Sequence, residues 1–177
     1  MDFSELIKQR QSDRKYDTTR SVDRNLIIKC LEAARLAPSA CNSQPWKFVV
    51  VDDKELLPQM ASAAASMGMN KFAAEAPVIV AVVLEKMNFT ARLGSVIKDK
   101  EYNLLDVGIA VEHFCLQASE LGLGTCIMGW FDEKKVAKLL GIEKRRIPLL
   151  ITLGYSAARL REKSRKSLDD MSSWNKY

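Results

Sequence analysis

The chain carries the segment Pro38-Ser39-Ala40-Cys41-Asn42-Ser43-Gln44-Pro45-Trp46 between a predicted helix and a predicted strand. The helix starts from a cap at Asp23 and is bounded by Pro38, because proline cannot continue a helix. The run 46–51 contains Trp, Phe and three consecutive Val residues, a composition typical of a β-strand. The segment 38–46 is therefore a short polar loop that joins a helix to a strand.

A second polar run, Arg10-Gln11-Ser12-Asp13-Arg14-Lys15-Tyr16, precedes that helix. Its residues Arg10, Ser12 and Arg14 alternate with period two, so an extended backbone turns all three to one side. A helix would instead send Ser12 to the face opposite the two arginines. Extended, the run offers two guanidinium groups and a hydroxyl to one anionic ligand, such as a phosphate. Taken in isolation, a charged linker is the default interpretation of this pattern.

Helices and strands alternate along the rest of the chain. Strands are predicted at 46–51, 77–84, 125–128 and 147–153, and the second of these is apolar enough to be covered on both faces. Asp2 and Glu5 form a capping box for a first helix, and Asp132 caps a late one. This order predicts an α+β fold, a three-layer α/β/α arrangement with helices flanking a mixed, mainly antiparallel sheet of four or five strands.

The longest predicted helix spans about 102–121 and is followed by Gly122 as its C-terminal cap. Its side chains are apolar nearly all round the helix, so it is either buried centrally or shared between subunits. The polar segment 155–177 shows no periodicity. Trp174 and Tyr177 indicate that it packs onto another surface.

Composition is that of an ordinary globular protein: 177 residues, 47% hydrophobic and 28% charged, which suits one domain. The net charge of +5 is spread along the chain among 22 acidic residues, a pattern that favours anionic small molecules over nucleic acid. Neither a signal peptide nor a run long enough to cross a bilayer is visible, so we expect no membrane association and a cytoplasmic location.

The four cysteines, at positions 30, 41, 115 and 126, show no C-x-x-C spacing, and His113 is the only histidine. These counts favour reduced thiols and predict no metal site. His113 lies in the long helix and is predicted to be packed or half-exposed rather than catalytic.

Together, the two polar segments resemble those of the nitroreductase family of flavin enzymes. Members carry an R-x-S-x-R/K run after a short helix and, about two dozen residues later, P-S-x-x-N-x-Q-P-W before a strand. Further matches are Gly129-Trp130-Phe131-Asp132 and the basic tail Lys163-Ser164-Arg165, so the likeness runs the length of the chain. It implies a single FMN-binding domain over 1–177 and a homodimer in which the C-terminal extension is exchanged and the flavin sites lie at the interface.

The resemblance also assigns site residues. It places Arg10, Ser12, Lys163 and Arg165 at the FMN phosphate and Arg14 at the N1/O2 edge of the ring. Backbone groups of Pro38, Ser39 and Ala40 would lie against the ring, with Asn42 and Gln44 holding that loop in shape. A main-chain N–H at Gly129, next to Met128, would face flavin N5, with the register uncertain by one residue, and Asn70 is a further candidate contact.

The activity implied is a ping-pong reaction in which NAD(P)H gives a hydride to flavin N5 and a nitroaromatic, quinone or enone then takes the reducing equivalents. No side chain is expected to act as a nucleophile. Other uses of the same fold stay open: reductive dehalogenation, azoline oxidation, flavin destruction, or non-catalytic FMN binding or storage. The preference for NADH or NADPH, and the physiological acceptor, are also open.

Overall fold

The computed structural model describes residues 1–177. The chain forms seven helices and four strands, joined by loops and turns. The helices are α1 (Phe3–Gln9), α2 (Arg24–Arg35), α3 (Leu56–Ala64), α4 (Phe89–Lys98), α5 (Tyr102–Glu120), α6 (Glu133–Leu139) and α7 (Leu168–Met171). The strands are β1 (Trp46–Val51), β2 (Val78–Leu84), β3 (Gly124–Met128) and β4 (Leu149–Gly154). Three short 3-10 turns lie at Ala40–Asn42, Ser66–Gly68 and Lys71–Glu75.

Local capping explains where three of the helices begin. The Asp2 side chain accepts the N–H of Glu5, and the Glu5 side chain accepts the N–H of Asp2. These two bonds complete the predicted capping box. Asp23 caps α2 and Asp132 caps α6 in the same way, by accepting main-chain N–H groups of the first turn. These three predicted helix starts are confirmed.

The four strands form one sheet in the order β1-β2-β4-β3, and every neighbouring pair in it is antiparallel. One parallel bridge, between Ser12 and Thr125 of β3, lies outside the named strands and gives the sheet its mixed character. The extended run 10–14 therefore lies along the β3 edge. This edge is where the candidate site is built.

Helices cover both faces of the sheet. Each face of the sheet has its own hydrophobic core, and alternate residues of β2 point into one or the other. Val78, Val80 and Val82 pack with α2 and α5, whereas Ile79, Ala81 and Val83 pack with α3 and α6. Because successive side chains of a strand point to opposite faces, a continuous apolar run fits a strand covered on both sides. The predicted three-layer α/β/α arrangement is confirmed.

Helix α5 does not bury its whole circumference. One face, which includes Val107, Val111 and Phe114, packs into the core, but Leu105 and Ile109 remain 59% and 40% exposed. Gly108 lies between them and is also exposed. The sequence predicted that this helix is either buried centrally or shared between subunits. Within the single subunit it is not buried centrally, because an apolar stripe of α5 faces outward.

Two helices were not predicted from the sequence. Helix α4 lies between β2 and α5, and its N-cap Asn88 accepts the N–H of Ala91. Helix α7 is one turn within the polar tail. Helix α3 begins at Leu56, after Asp53 has accepted two N–H groups in the preceding turn. No helix in the fold has both the length and the apolar composition that crossing a membrane requires.

Candidate functional site

A polar groove lies where the extended run after α1 meets the C-terminal tail. It has a volume of about 310 Å³, and no hydrophobic residue lines it. Its walls include all five residues that the sequence assigned to an anion or to the charged ring edge: Arg10, Ser12, Arg14, Lys163 and Arg165. The fold brings the two ends of the chain together on one small concave surface. Guanidinium, ammonium and hydroxyl donors in this number suit a phosphate.

The backbone of the opening run is extended from its first residue. Arg10 is the C-cap of α1 and has φ −58° and ψ 122°, which ends the helix abruptly. Ser12 then bridges Thr125 of β3. Because the run is extended, Ser12 and both arginines line the groove together, as the alternation predicts.

The tail is held against this run by its basic side chains. The Nζ of Lys163 donates to the carbonyl oxygen of Arg10 at 2.6 Å, and the Arg161 guanidinium donates to the carbonyl of Ser12 at 2.6 Å. Arg10 also pairs with Glu112 of α5 at 3.3 Å. Arg14, in contrast, is exposed and forms no ion pair, so its charge is free to meet a ligand.

The groove is electrostatically unbalanced. Desolvation lowers the pKa of Lys163, and the positive charges of Arg10 and Arg165 lower it further. The clustered cations therefore repel one another. A bound anion would relieve this repulsion, which favours a phosphate group as the ligand.

The loop 38–46 has an unusual backbone. Three residues without the freedom of glycine, Cys41, Asn42 and Gln44, have φ of 49°, 51° and 47°. Left-handed backbone of this kind costs about 1–2 kcal/mol per ordinary residue, less for Asn. The Gln44 side chain donates to the carbonyl and side-chain oxygens of Asn42 at 3.1 and 3.0 Å, and the Gln44 N–H donates to Ser39 Oγ. Asn42 and Gln44 thus bond within the loop.

Two residues outside the loop also fix it. The buried Asp106 of α5 accepts the Ala40 N–H, and the Asn88 side chain donates to the carbonyl of Cys41 at 2.8 Å. The Asn88 N–H donates to Ser43 Oγ at the same distance. Asp106 of α5 and the N-cap residue of α4 therefore both support the strained conformation of the loop.

A third part of the site lies at the end of β3. Gly129 follows the strand and is exposed, whereas the Met128 side chain is buried in the core shared with α3 and α6. Only the main chain of Met128 is left to contact a ligand. Asn70, with φ 51°, donates to the carbonyl oxygen of Trp130 at 2.7 Å. The structure therefore places Asn70 beside the Gly129-Trp130 segment, with its amide nitrogen already engaged.

Several residues that shape the site were missed in the sequence. Arg161 lines the groove, and the signal was present, because 161, 163 and 165 repeat the period of two seen at 10, 12 and 14. Asp106 was visible as a lone carboxylate on the buried face of an apolar helix. Asn88 gave a cap signal three residues before Ala91. Asp13 gave no local signal, since its burial depends on contacts with distant segments.

Comparison with known proteins agrees with this arrangement of two motifs and a three-layer fold. The model of the Nitroreductase family matches residues 7–155. This chain belongs to the nitroreductase family.

Other nitroreductases resemble it over nearly their whole length. The oxygen-insensitive NADPH nitroreductase of Helicobacter pylori is 31% identical over 96% of this chain and 95% of its own. The crystal structure of a nitroreductase family protein from Streptococcus pneumoniae has a TM-score of 0.82 at 27% identity, covering 98% of this chain and all of that one. An FMN-dependent nitroreductase from Clostridium difficile has a TM-score of 0.76 at 28% identity, covering 97% and 98%.

Proposed function

We propose that this chain is an FMN-dependent oxidoreductase that uses NAD(P)H to reduce electron-poor acceptors such as nitroaromatics, quinones or enones. The observation that carries the proposal is the polar groove, where Arg10 and Ser12 of the opening run meet Lys163, which follows Arg10 by 153 residues in the sequence. Family membership and the FMN-dependent relative support the same cofactor. When bound, FMN supplies the centre that accepts a hydride from the nicotinamide and passes reducing equivalents on in a ping-pong cycle.

The groove residues hold the cofactor by its phosphate. Arg10 and Ser12 from the opening run, with Lys163 and Arg165 from the tail, supply the donors. The pairing of Arg10 with Glu112 fixes its guanidinium in place before a ligand arrives. The backbone around Ser12, bridged to β3, keeps the Arg10 and Ser12 donors preorganised, which lowers the entropic cost of binding.

Arg14 serves the other end of the cofactor. Its unpaired guanidinium would lie at the ring edge, where negative charge develops on reduction, and would stabilise that charge. Main-chain groups of Pro38, Ser39 and Ala40 would line the ring, and Gly129 would offer its N–H beside the reacting atom. Asn70 orients the Trp130 main chain through its 2.7 Å bond. The protein thus contributes position and electrostatics rather than a nucleophile.

We expect the functional form to be a homodimer of single-domain subunits, with the site completed at the interface. The outward apolar stripe of α5 supports a second copy, because exposed Leu105 and Ile109 would otherwise remain in water. The tail supports it too: Trp174 and Tyr177 are fully or almost fully exposed in one subunit. Exchange of the tail between subunits would cover them.

The direct test is steady-state oxidation of NADH and of NADPH by the FMN-reconstituted protein, with nitrofurazone or menadione as acceptor. We expect turnover with parallel lines in double-reciprocal plots, the kinetic pattern of a ping-pong reaction. The Arg14→Ala variant, loaded with FMN, should turn over more slowly. Tight FMN binding with no turnover of either nucleotide would contradict the proposal and indicate a storage protein.

A further inference from the structure

Asp13 lies in the middle of the cationic run yet does not face the groove. Its neighbours Ser12 and Arg14 line the groove, whereas Asp13 is only 5% exposed and lines a small adjoining cavity, which shares Arg10 and Gln11 with the groove. In an extended backbone, alternate side chains point to opposite sides. The N–H of Asp13 donates to the carbonyl of Thr125 at 2.8 Å, so β3 fixes the position of its backbone.

The Asp13 side chain joins the run to the tail. Its Oδ1 accepts the Gln11 Nε2 at 2.9 Å and the Ser156 hydroxyl at 2.6 Å. Ser156 lies two residues after Gly154, the last residue of β4, where the C-terminal tail begins. A buried carboxylate needs such donors, because an unsatisfied charge in the interior is costly. The side chain of Asp13 therefore reinforces the main-chain bonds, around Tyr16 and Ser156, that hold the base of the tail to the opening segment.

From that anchor, a series of bonds leads to the groove. The Gln11 Oε1 accepts the main-chain N–H of Arg161 at 3.1 Å, and Gln11 Nε2 also donates to the carbonyl of Arg159 at 3.3 Å. Two residues further on, Lys163 reaches Arg10. Gln11 and Asp13, the two residues that alternate with the groove donors, thus set the path of the tail that carries Lys163.

Charge gives Asp13 a second role. The groove collects the guanidinium groups of Arg10, Arg165 and Arg161, whose positive charges repel the ammonium of Lys163. Asp13 is the buried anion of this run, and its charge favours the protonated form of Lys163. It therefore offsets part of the repulsion when no ligand is bound.

The close fit of Asp13 depends on Gly124 at the start of β3. A Cβ at position 124 would lie 2.6 Å from Asp13 Oδ2 and 2.8 Å from its Cγ, closer than such atoms approach. Any larger residue at 124 must push the carboxylate away. A substitution at Gly124 therefore displaces the Asp13 carboxylate without changing residue 13 itself.

We propose that Asp13 is a positioning residue of the FMN phosphate site: its buried carboxylate, bonded to Gln11 and Ser156, holds the tail on the opening run so that Lys163 and Arg165 reach the groove. This inference rests on the proposed function for the identity of the ligand. The clamp between Asp13 and the tail does not depend on the ligand and is tested separately.

The first test compares FMN with riboflavin, which lacks the phosphate, by quenching of flavin fluorescence. Asp13→Ala should weaken FMN binding by about 10-fold or more, as expected for loss of a charged hydrogen-bond network, and change riboflavin binding little. Asp13→Asn keeps an acceptor oxygen for Gln11 and Ser156 and should recover much of the loss. Gly124→Ala should resemble Asp13→Ala. Gly94→Ala in α4, where a Cβ meets only an ordinary 3.6 Å contact, is the matched control.

The second test needs no flavin. Trypsin should cleave after Arg159 and Arg161 faster in Asp13→Ala, Ser156→Ala and Gly124→Ala than in the unmodified protein or Gly94→Ala. Should Asp13→Ala fail to fold, Ser156→Ala and Asp13→Asn answer the same question. Unchanged tail cleavage, or equal losses of FMN and riboflavin affinity, would overturn the role of Asp13. An unmodified protein that binds riboflavin as tightly as FMN would overturn both the proposed phosphate site and the role of Asp13 in it, even with a functioning clamp.

Discussion

The carboxylate of Asp106 accepts the main-chain N–H of Ala40 with both oxygens, at 3.1 and 3.2 Å. Six residues further along the same helix, Glu112 pairs with Arg10. Helix α5 therefore holds both the loop proposed to contact the flavin ring and the run proposed to bind its phosphate. Six residues of α-helix rise about 9 Å, so one rigid element fixes the separation of the two.

Removing Asp106 should damage the ring side of the site. We expect Asp106→Ala to weaken FMN and riboflavin binding by similar factors, because the loop that loses its support faces the part common to both. Loss of a charged hydrogen bond of this kind costs about 1.5–3 kcal/mol. Fluorescence titration with both flavins measures it, and Asp99→Asn, at the exposed C-cap of α4, is the control. A loss confined to FMN would show that Asp106 does not act on the ring side.

Arg10 and Arg14 should fail in different ways. Arg10→Ala should reduce FMN affinity by about 1.5–3 kcal/mol and leave the potential of the bound flavin nearly unchanged, since the phosphate has the same charge in both redox states. Arg14→Ala should lower the potential, because its free guanidinium is proposed to stabilise charge that appears only on reduction. A difference of about 1.4 kcal/mol corresponds to about 30 mV for a two-electron couple.

A redox titration of each arginine variant against a reference dye, at saturating FMN, separates the two effects. Arg24→Ala is a suitable control, since Arg24 pairs with Asp52 outside the groove. Equal shifts in both groove variants, or a shift only in Arg10→Ala, would show that the two roles are wrongly assigned.

Truncation should separate cofactor binding from assembly. A chain ending at Tyr155 loses Lys163 and Arg165 and should neither bind FMN nor dimerise. A chain ending at Arg165 keeps the groove and lacks residues 166–177, which include α7 and the exposed aromatic residues, so it should bind FMN but dimerise less tightly. Light scattering after size exclusion, with flavin content by absorbance, distinguishes them. A stable dimer of normal flavin content from the shorter chain would contradict the proposed role of the tail.

Alkaline pH should destabilise the protein through its buried thiols. Burial raises the pKa of Cys30 and Cys115 from about 9 to about 12. Because the folded state disfavours the thiolate, the stability contributed by these groups is complete below pH 9 and is lost as the pH rises towards 12. Each group can contribute a slope of about 1.4 kcal/mol per pH unit in that window.

Urea unfolding at pH 8 and pH 10 measures this loss of stability. Cys30→Ala should reduce the difference between the two pH values, whereas Cys41→Ala should not, since Cys41 is exposed. If the free energy of unfolding depends equally on pH in the unmodified protein, Cys30→Ala and Cys41→Ala, the buried thiols are not responsible.

Features that depend on neighbouring residues were predictable from the sequence. The caps at Asp2, Asp23 and Asp132 and the span of β1 follow from local hydrogen bonding and from runs of β-branched residues. The alternation of Arg10, Ser12 and Arg14 also predicted that one surface would receive all three. In each case the signal lies within a few residues.

Features that depend on distant contacts were not predictable in this way. Asp13 is a charged residue in a polar run, and its burial depends on contacts with Ser156 and Gly124, more than 100 residues away in the chain. The Met128 side chain points into the core with α3 and α6, because the register of β3 on β4 determines which face of the sheet each β3 side chain points to. The large apolar residues of α4, at 89, 93, 96 and 97, repeat with helical spacing, so this helix was predictable; that they face outward in one subunit was not.

The bond from Lys163 to the carbonyl of Arg10 spans 153 residues. A ribosome makes a chain from its N-terminus, so Arg10, Ser12 and Arg14 emerge long before the tail residues that complete the groove. During most of synthesis the opening run and the β3 edge have no partner from the tail. If the tail binds the cofactor as proposed, the flavin would be captured only after residue 165 has emerged, and loading would be a late event in the production of each molecule.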